Sequence, residues 1–174
     1  MEDKIKAAIR DVVDFPKEGI VFKDITPILE DYALTQEVTS EFKIRTAHLN
    51  IDAVMGVESR GFFWGLLLSQ LLEVPFIPVR KKGKLPYKTI SYKYDLEYGS
   101  AEIEVHVDAI KAGSNVLIHD DLLATGGTAM AAAEIVKMQN ANVIGFAFLV
   151  ILDFFKGEEK LRAYSKEIIG LVNY

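Results

Sequence analysis

Two adjacent carboxylates, Asp120 and Asp121, stand just ahead of a short run of small and hydroxyl-bearing residues, Ala124-Thr125-Gly126-Gly127-Thr128. Carboxylates accept hydrogen bonds from hydroxyl groups or face a divalent cation, but they repel a phosphate. Glycines let backbone approach an anion closely, and Thr125 and Thr128 add hydroxyl donors. Phosphate donors beside hydroxyl acceptors suit a sugar phosphate, a ribose carrying a 5′-phosphate. The same residues also read as an ordinary chain turn and a helix cap.

The elements that must position them can be read around them. Val116-Leu117-Ile118 is a short apolar run suited to a strand buried on both faces, with the aspartates at its end. Behind the glycine turn, Ala129, Ala132, Ala133 and Val136 fall at i, i+3, i+4 and i+7, one face of a helix. Strand, glycine turn and helix together build an anion site. Free N–H groups of the first helical turn point at the anion, and the helix dipole adds about 0.3–1 kcal/mol. Neither G-x-x-x-x-G-K-[ST] nor G-x-G-x-x-G occurs, so a nucleoside-triphosphate loop and a dinucleotide fingerprint find no support.

The 174 residues suit one domain with one core, and half of them are hydrophobic. With no cysteine, disulfides, thiolate metal sites and cysteine nucleophiles are excluded. The first residues are charged and lead into no long apolar stretch, and the run at 146–152 is too short to span a bilayer. A soluble, cytoplasmic protein is the expectation. A net charge of −5 argues against a general nucleic-acid binder.

Asp3 is expected to cap a first helix whose apolar face is Ile5, Ala8, Ile9 and Val12. Pro16, Gly19 and Pro27 punctuate residues 14–27, a loop with a short extended piece in which Phe22 reads locally as core. Residues 35–49 read as a helix, and 51–57 as a buried strand ending at Glu58-Ser59-Arg60-Gly61. That is a second loop at a strand's C-terminal end, the edge where open α/β sheets bind ligands, and Arg60 could fork onto a phosphate. Residues 62–72 are apolar almost all round, which implies burial in the interior or at a subunit interface. A third strand at 74–79 leads into Arg80-Lys81-Lys82-Gly83-Lys84, the densest positive cluster. It reads as a solvated charge run or as a phosphate-neutralising loop.

Residues 89–94 and 101–107 alternate as two strands. Ala101, Ile103, Val105 and Val107 share one face, and Glu102, Glu104 and His106 the other. Glu97, between these strands, reads locally as a surface glutamate. An apolar strand at 143–152, a short helix or turn at 156–161 and a last strand at 167–172 complete the chain. Alternating strands and helices predict an α/β fold with a twisted, mainly parallel sheet flanked by helices.

V-L-I-H-D-D-L-L-A-T-G-G-T resembles the phosphoribosyl-pyrophosphate (PRPP) motif of the type I phosphoribosyltransferases, and its D-D-L-L-A-T-G-G-T form is most like the members that use adenine. D-F-P-x-x-G-I-x-F-x-D-I-x-P, E-S-R-G-F-x-x-G, R-K-x-G-K-L-P, S-Y-x-x-x-L-E-Y-G and F-F-K-G-x-E-K-L are similar to further segments of that family, in the family's order. The resemblance implies one domain over residues 1–174, with an N-terminal hood at roughly 1–34 and a flexible β-hairpin flap at roughly 80–108. It implies Mg²⁺-dependent transfer from PRPP to adenine, giving AMP and diphosphate, in a homodimer that binds neither nucleic acid nor membrane.

The same resemblance assigns roles. Ala124, Thr125, Gly126, Gly127 and Thr128 hold the 5′-phosphate. Asp120 and Asp121 hold the ribose hydroxyls and touch the metal only indirectly. Ser59, Arg60, Arg80, Lys81 and Lys84 face the diphosphate. Phe22 stacks on adenine, the backbone of Val21 and Lys23 reads its edge, and Leu149 is a candidate base contact. Glu97 lies near the anomeric carbon, with Tyr98 closing the site. The sequence departs from the family at Lys23, where arginine is frequent, at Ser100, where lysine or arginine is frequent, at Ile151, where an acid is common, and at His119, where an apolar residue is usual. The alternatives are another base, such as hypoxanthine, guanine, xanthine or orotate, or a nucleic-acid regulator that keeps the PRPP fold.

Overall fold

The structure is a computed structural model that describes residues 1–95 and 99–174. The chain opens with α1 (Glu2–Ala8), an antiparallel pair β1 (Arg10–Val13) and β2 (Val21–Asp24), then α2 (Thr26–Glu30) and α3 (Tyr32–Thr46). There follow β3 (Ala53–Val57), α4 (Gly61–Leu72), β4 (Phe76–Lys81), β5 (Thr89–Asp95), β6 (Ser100–His106), β7 (Asn115–Leu123), α5 (Gly127–Met138), β8 (Asn142–Ile151), α6 (Gly157–Leu161) and β9 (Ile168–Asn173).

The main sheet has the order β5-β6-β4-β3-β7-β8-β9. From β4 to β9 the neighbours are parallel, while β6 runs antiparallel to both β4 and β5. Parallel strands covered on both faces must be apolar on both, and β3 is buried at every position. Alternation along β7 divides two cores. Val116 and Ile118 join α5, Val105 and Phe146 on one face. Leu117 joins Phe42, Trp64 and Leu68 on the other. No helix among the described residues is long and apolar enough to cross a membrane.

Several boundaries differ from the sequence expectation. Asp3 lies inside the first turn of α1 and makes no cap, and the helix stops at Ala8, so Val12 belongs to β1. α3 starts at Tyr32 rather than 35, because the Asp31 carboxylate accepts the Leu34 N–H at 3.0 Å and caps it. β7 runs on to Leu123, since β8 continues to pair with it through Leu123↔Ile151; the two aspartates therefore sit inside the strand. Arg80 and Lys81 close β4 instead of opening a loop, because β6 pairs with both. α4 is buried along Gly61, Trp64, Gly65, Leu68 and Ser69, and exposes Phe63, Leu66 and Leu71.

Candidate active site

The glycine turn sits at the C-terminal edge of the parallel sheet. Gly126 adopts φ +76°, a left-handed conformation open to glycine, and α5 starts at the next residue. A small cavity of about 110 Å³ opens here, lined by Asp120, Ala124, Thr125, Gly126, Gly127 and Thr128 among others. Its size suits one phosphate group better than a ring system. The loop is braced from behind by the start of α6. A Cβ on Gly126 would lie 2.8 Å from the Gly157 carbonyl oxygen, and one on Gly157 would collide with the carbonyl oxygen of Ala124. Backbone packed on backbone fixes where the N–H groups point.

Asp121 is buried, and its Oδ2 lies 3.0 Å from Arg60 Nε, close enough to pair but not aligned as a hydrogen bond. Asp120 accepts the Asp121 N–H at 2.9 Å. Burial pushes both carboxyls above their usual range. The charge of Asp121 raises Asp120 further, while Arg60 pulls Asp121 back down. Two raised acids at one site are a common mark of function rather than of stability.

Arg60 follows the cis Glu58–Ser59 peptide and stands at the start of α4. Its guanidinium carbon is 5.1 Å from the centre of the Phe22 ring. Arg60 therefore joins the hood to the carboxylate pair, although the two segments lie far apart in sequence. Phe22 is half-buried and meets Phe15 edge-on at 5.2 Å. Lys23 pairs with Asp11 at 2.7 Å and sits 4.0 Å over the Tyr174 ring, so its side chain is already engaged. Val21 is exposed on the same strand.

The basic segment is held by two acids. Glu58 accepts Arg80 Nε at 2.9 Å and the Lys81 N–H at 2.8 Å. Burial works against its charge, but these bonds hold its carboxyl below the usual range. Glu104, expected on a polar face, is only 2 % exposed. One oxygen accepts the N–H groups of Gly83, Lys84 and Leu85 at 2.9, 3.1 and 3.2 Å, and the other accepts the Thr89 hydroxyl at 2.9 Å. The turn after β4 folds back over the carboxylate. Burial again opposes the charge, and the surrounding bonds prevail.

Other expectations fall differently. Leu149 has no exposed surface and belongs to the core with Leu117 and Leu171, so it offers a base nothing to touch. His119 is fully buried, edge-on to Phe42 at 5.0 Å, and burial lowers its pKa to about 4, so it is a neutral core residue. Ile151 is buried against Gly170. Ser100 opens β6 at an exposed position. Glu97 and Tyr98 lie outside the described residues. Nothing in the sequence assigns Glu58, Glu104 or Gly157 a bracing role: Glu58 reads only as part of a loop and Glu104 only as part of a polar strand face. Family-like motifs contain Glu58 and Gly157, but no local signal marks either, or Glu104, as a brace.

Among the described residues, no cluster of three or more His, Asp or Glu could cage a metal. Asp120 and Asp121 supply two carboxylates beside a phosphate cradle. This set fits Mg²⁺ that arrives on substrate phosphates and keeps its waters.

A glycine turn at a helix N-terminus, a buried carboxylate pair and a basic strand end stand at the C-terminal edge of a parallel sheet, a layout suited to an enzyme that handles ribose phosphates. The chain belongs to the phosphoribosyl transferase family: the family model for the phosphoribosyl transferase domain matches residues 30–172. Relatives that match it over nearly its full length include adenine phosphoribosyltransferases. That of Cytophaga hutchinsonii is 48% identical over 174 residues, covering 100% of this chain and 96% of the relative. The crystal structure of the enzyme from Thermoanaerobacter pseudethanolicus superposes with TM-score 0.96 at 43% identity, covering 100% of both chains. The Saccharomyces cerevisiae enzyme, solved with adenine and an imino-altritol bisphosphate, gives TM-score 0.92 at 41% identity, covering 98% of this chain and 97% of that one.

Proposed function

We propose that this protein is a cytoplasmic adenine phosphoribosyltransferase that salvages the free base: adenine and PRPP become AMP and diphosphate. At the anomeric carbon the bond to diphosphate oxygen breaks and the bond to the base nitrogen forms, through an oxocarbenium-like transition state. The Ala124–Thr128 loop holds the 5′-phosphate, remote binding energy that serves the reacting centre. Asp120 and Asp121 accept the ribose hydroxyls and offset the positive charge that develops on the ring. Ser59, Arg60, Arg80, Lys81 and Lys84 receive the diphosphate. Phe22 stacks on adenine, and the backbone of Val21 and Lys23 reads its edge. The family resemblance assigns Glu97 to the reacting centre and Tyr98 to closing the site. When bound, Mg²⁺ neutralises charge on the diphosphate.

The observation that carries this reading is the position of Arg60, paired with Asp121 and stacked near Phe22. It links Phe22 of the N-terminal segment to the carboxylate pair on β7, which supports reading the base and ribose sites as neighbours. AMP formation from adenine, PRPP and Mg²⁺, with hypoxanthine, guanine, xanthine and orotate in parallel, tests it. Product from adenine alone supports the assignment. Product only from another base overturns the hood reading and keeps the PRPP site. No product from any base, with PRPP still bound, favours a regulator.

The reading includes a homodimer. The exposed Phe63, Leu66 and Leu71 on α4 form an apolar face suited to a second copy. Light scattering should give twice the 19.4 kDa chain mass, and a monomer at micromolar concentration would remove this part.

A further inference from the structure

Tyr94 carries the inference. It lies near the end of β5, between exposed Lys93 and Asp95, yet is only 8 % exposed itself. Strand alternation turns it inward, across the sheet face from its neighbours. Its ring passes over Gly127, where a Cβ would touch ring carbons at 3.6 and 3.7 Å. Its hydroxyl lies 3.1 Å from Thr128 Oγ1. A flap strand is thus seated on the glycine turn by one aromatic side chain.

We propose that Tyr94 is a positioning residue for the 5′-phosphate: it orients the Thr128 hydroxyl. A hydroxyl pair can run in either direction. A threonine hydroxyl has one proton and two acceptor lone pairs. If Thr128 donates to Tyr94, no proton is left for a phosphate. If Tyr94 donates to Thr128, the Thr128 proton is free to point into the cavity. An anion in the cradle selects the second arrangement, and Tyr94 holds it there. A phenolic hydroxyl on a packed ring is well suited, because the ring costs little further ordering.

The inference rests on the proposed reading of the cradle as the 5′-phosphate site, and the two can be separated. PRPP with Mg²⁺, ribose 5-phosphate and adenine are titrated separately against wild type, Tyr94→Phe, Thr128→Ala and the double variant, with melting curves for each. Tyr94→Phe keeps the ring, so folding should be retained. We expect about a 2- to 10-fold weaker affinity for PRPP and ribose 5-phosphate, the scale of one hydrogen bond, with adenine affinity unchanged. Steady-state kinetics should show the loss in KM for PRPP, not in kcat. The double variant should bind no worse than Thr128→Ala alone, because Tyr94 then has nothing to orient. Wild-type affinity in Tyr94→Phe, or losses that add in the double variant, would overturn the role. Unchanged ribose 5-phosphate binding in Thr128→Ala would instead sink the cradle reading, and this inference with it. If Tyr94→Phe melts early, Thr128→Val with Tyr94 intact provides the comparison, and a wild-type affinity there overturns the proposal equally.

Discussion

At the residue scale, two titratable side chains on neighbouring positions of β7 act on stability in opposite directions. His119 is buried and neutral, with its pKa lowered from an ordinary 6.5 to about 4. Its contribution is complete above pH 6.5 and is lost as pH falls toward 4, because only the unfolded chain takes up the proton there. That gap is worth about 3 kcal/mol. His119→Leu should flatten the acid side of the melting-temperature profile; an unchanged slope between pH 6.5 and 4 would mean that the imidazole is protonated when folded. Asp120 has a raised carboxyl, so it favours folding at low pH and disfavours it once pH rises and the unfolded carboxylate ionises. Asp120→Asn should therefore melt at least about 2 °C higher at pH 8, the equivalent of a fraction to one kcal/mol for a chain of this size. It should also lose about 10- to 100-fold in kcat/KM, the worth of one hydrogen bond to a charged group. A lower melting temperature at pH 8 would show that the charge is not a strain on the fold.

At the element scale, the site depends on braces outside it. α6 contributes no functional side chain, but its first residue sets the cradle. Gly157→Ala should push the Ala124 carbonyl aside and raise KM for PRPP at least about 5-fold, with a lower melting temperature; overpacking of this kind costs about 1–3 kcal/mol. Normal PRPP kinetics in a destabilised variant would limit the brace to folding. The turn after β4 is organised in the same way, around Glu104 instead of a glycine contact. Three N–H groups converging on one buried oxygen hold Lys84 in place without touching its side chain. This explains why a position of polar parity is buried: its partners are backbone donors of a turn, which alternation along one strand does not reveal.

At the scale of the whole molecule, Phe22 of the N-terminal segment and Asp121 on β7, far apart in sequence, meet through Arg60. On the proposed reading they hold different substrates. Phe22→Ala should weaken adenine about 5- to 100-fold, the range of one base–aromatic stack, with a smaller effect on PRPP. Equal losses of both substrates would count against stacking and make Phe22 a general support of the hood.

The central strand, the glycine turn and the helix behind it were legible because their signals are local: an apolar run, glycines, and a 3.6-residue period. The α/β class followed from the alternation of such units. Residue chemistry also marked Asp120, Asp121, Arg60 and the basic cluster as candidates. Strand ends were less legible, since β7 and β4 extend only as far as β8 and β6 pair with them. What only the tertiary structure decided were contacts between distant segments: Arg60 with Phe22 and Asp121, Gly157 against the cradle, Glu104 beneath the basic turn, and Tyr94 on Thr128. Burial and pairing are properties of neighbours in space. Sequence by itself determined which residues could do the chemistry; which of them meet, and what holds them there, was decided by packing.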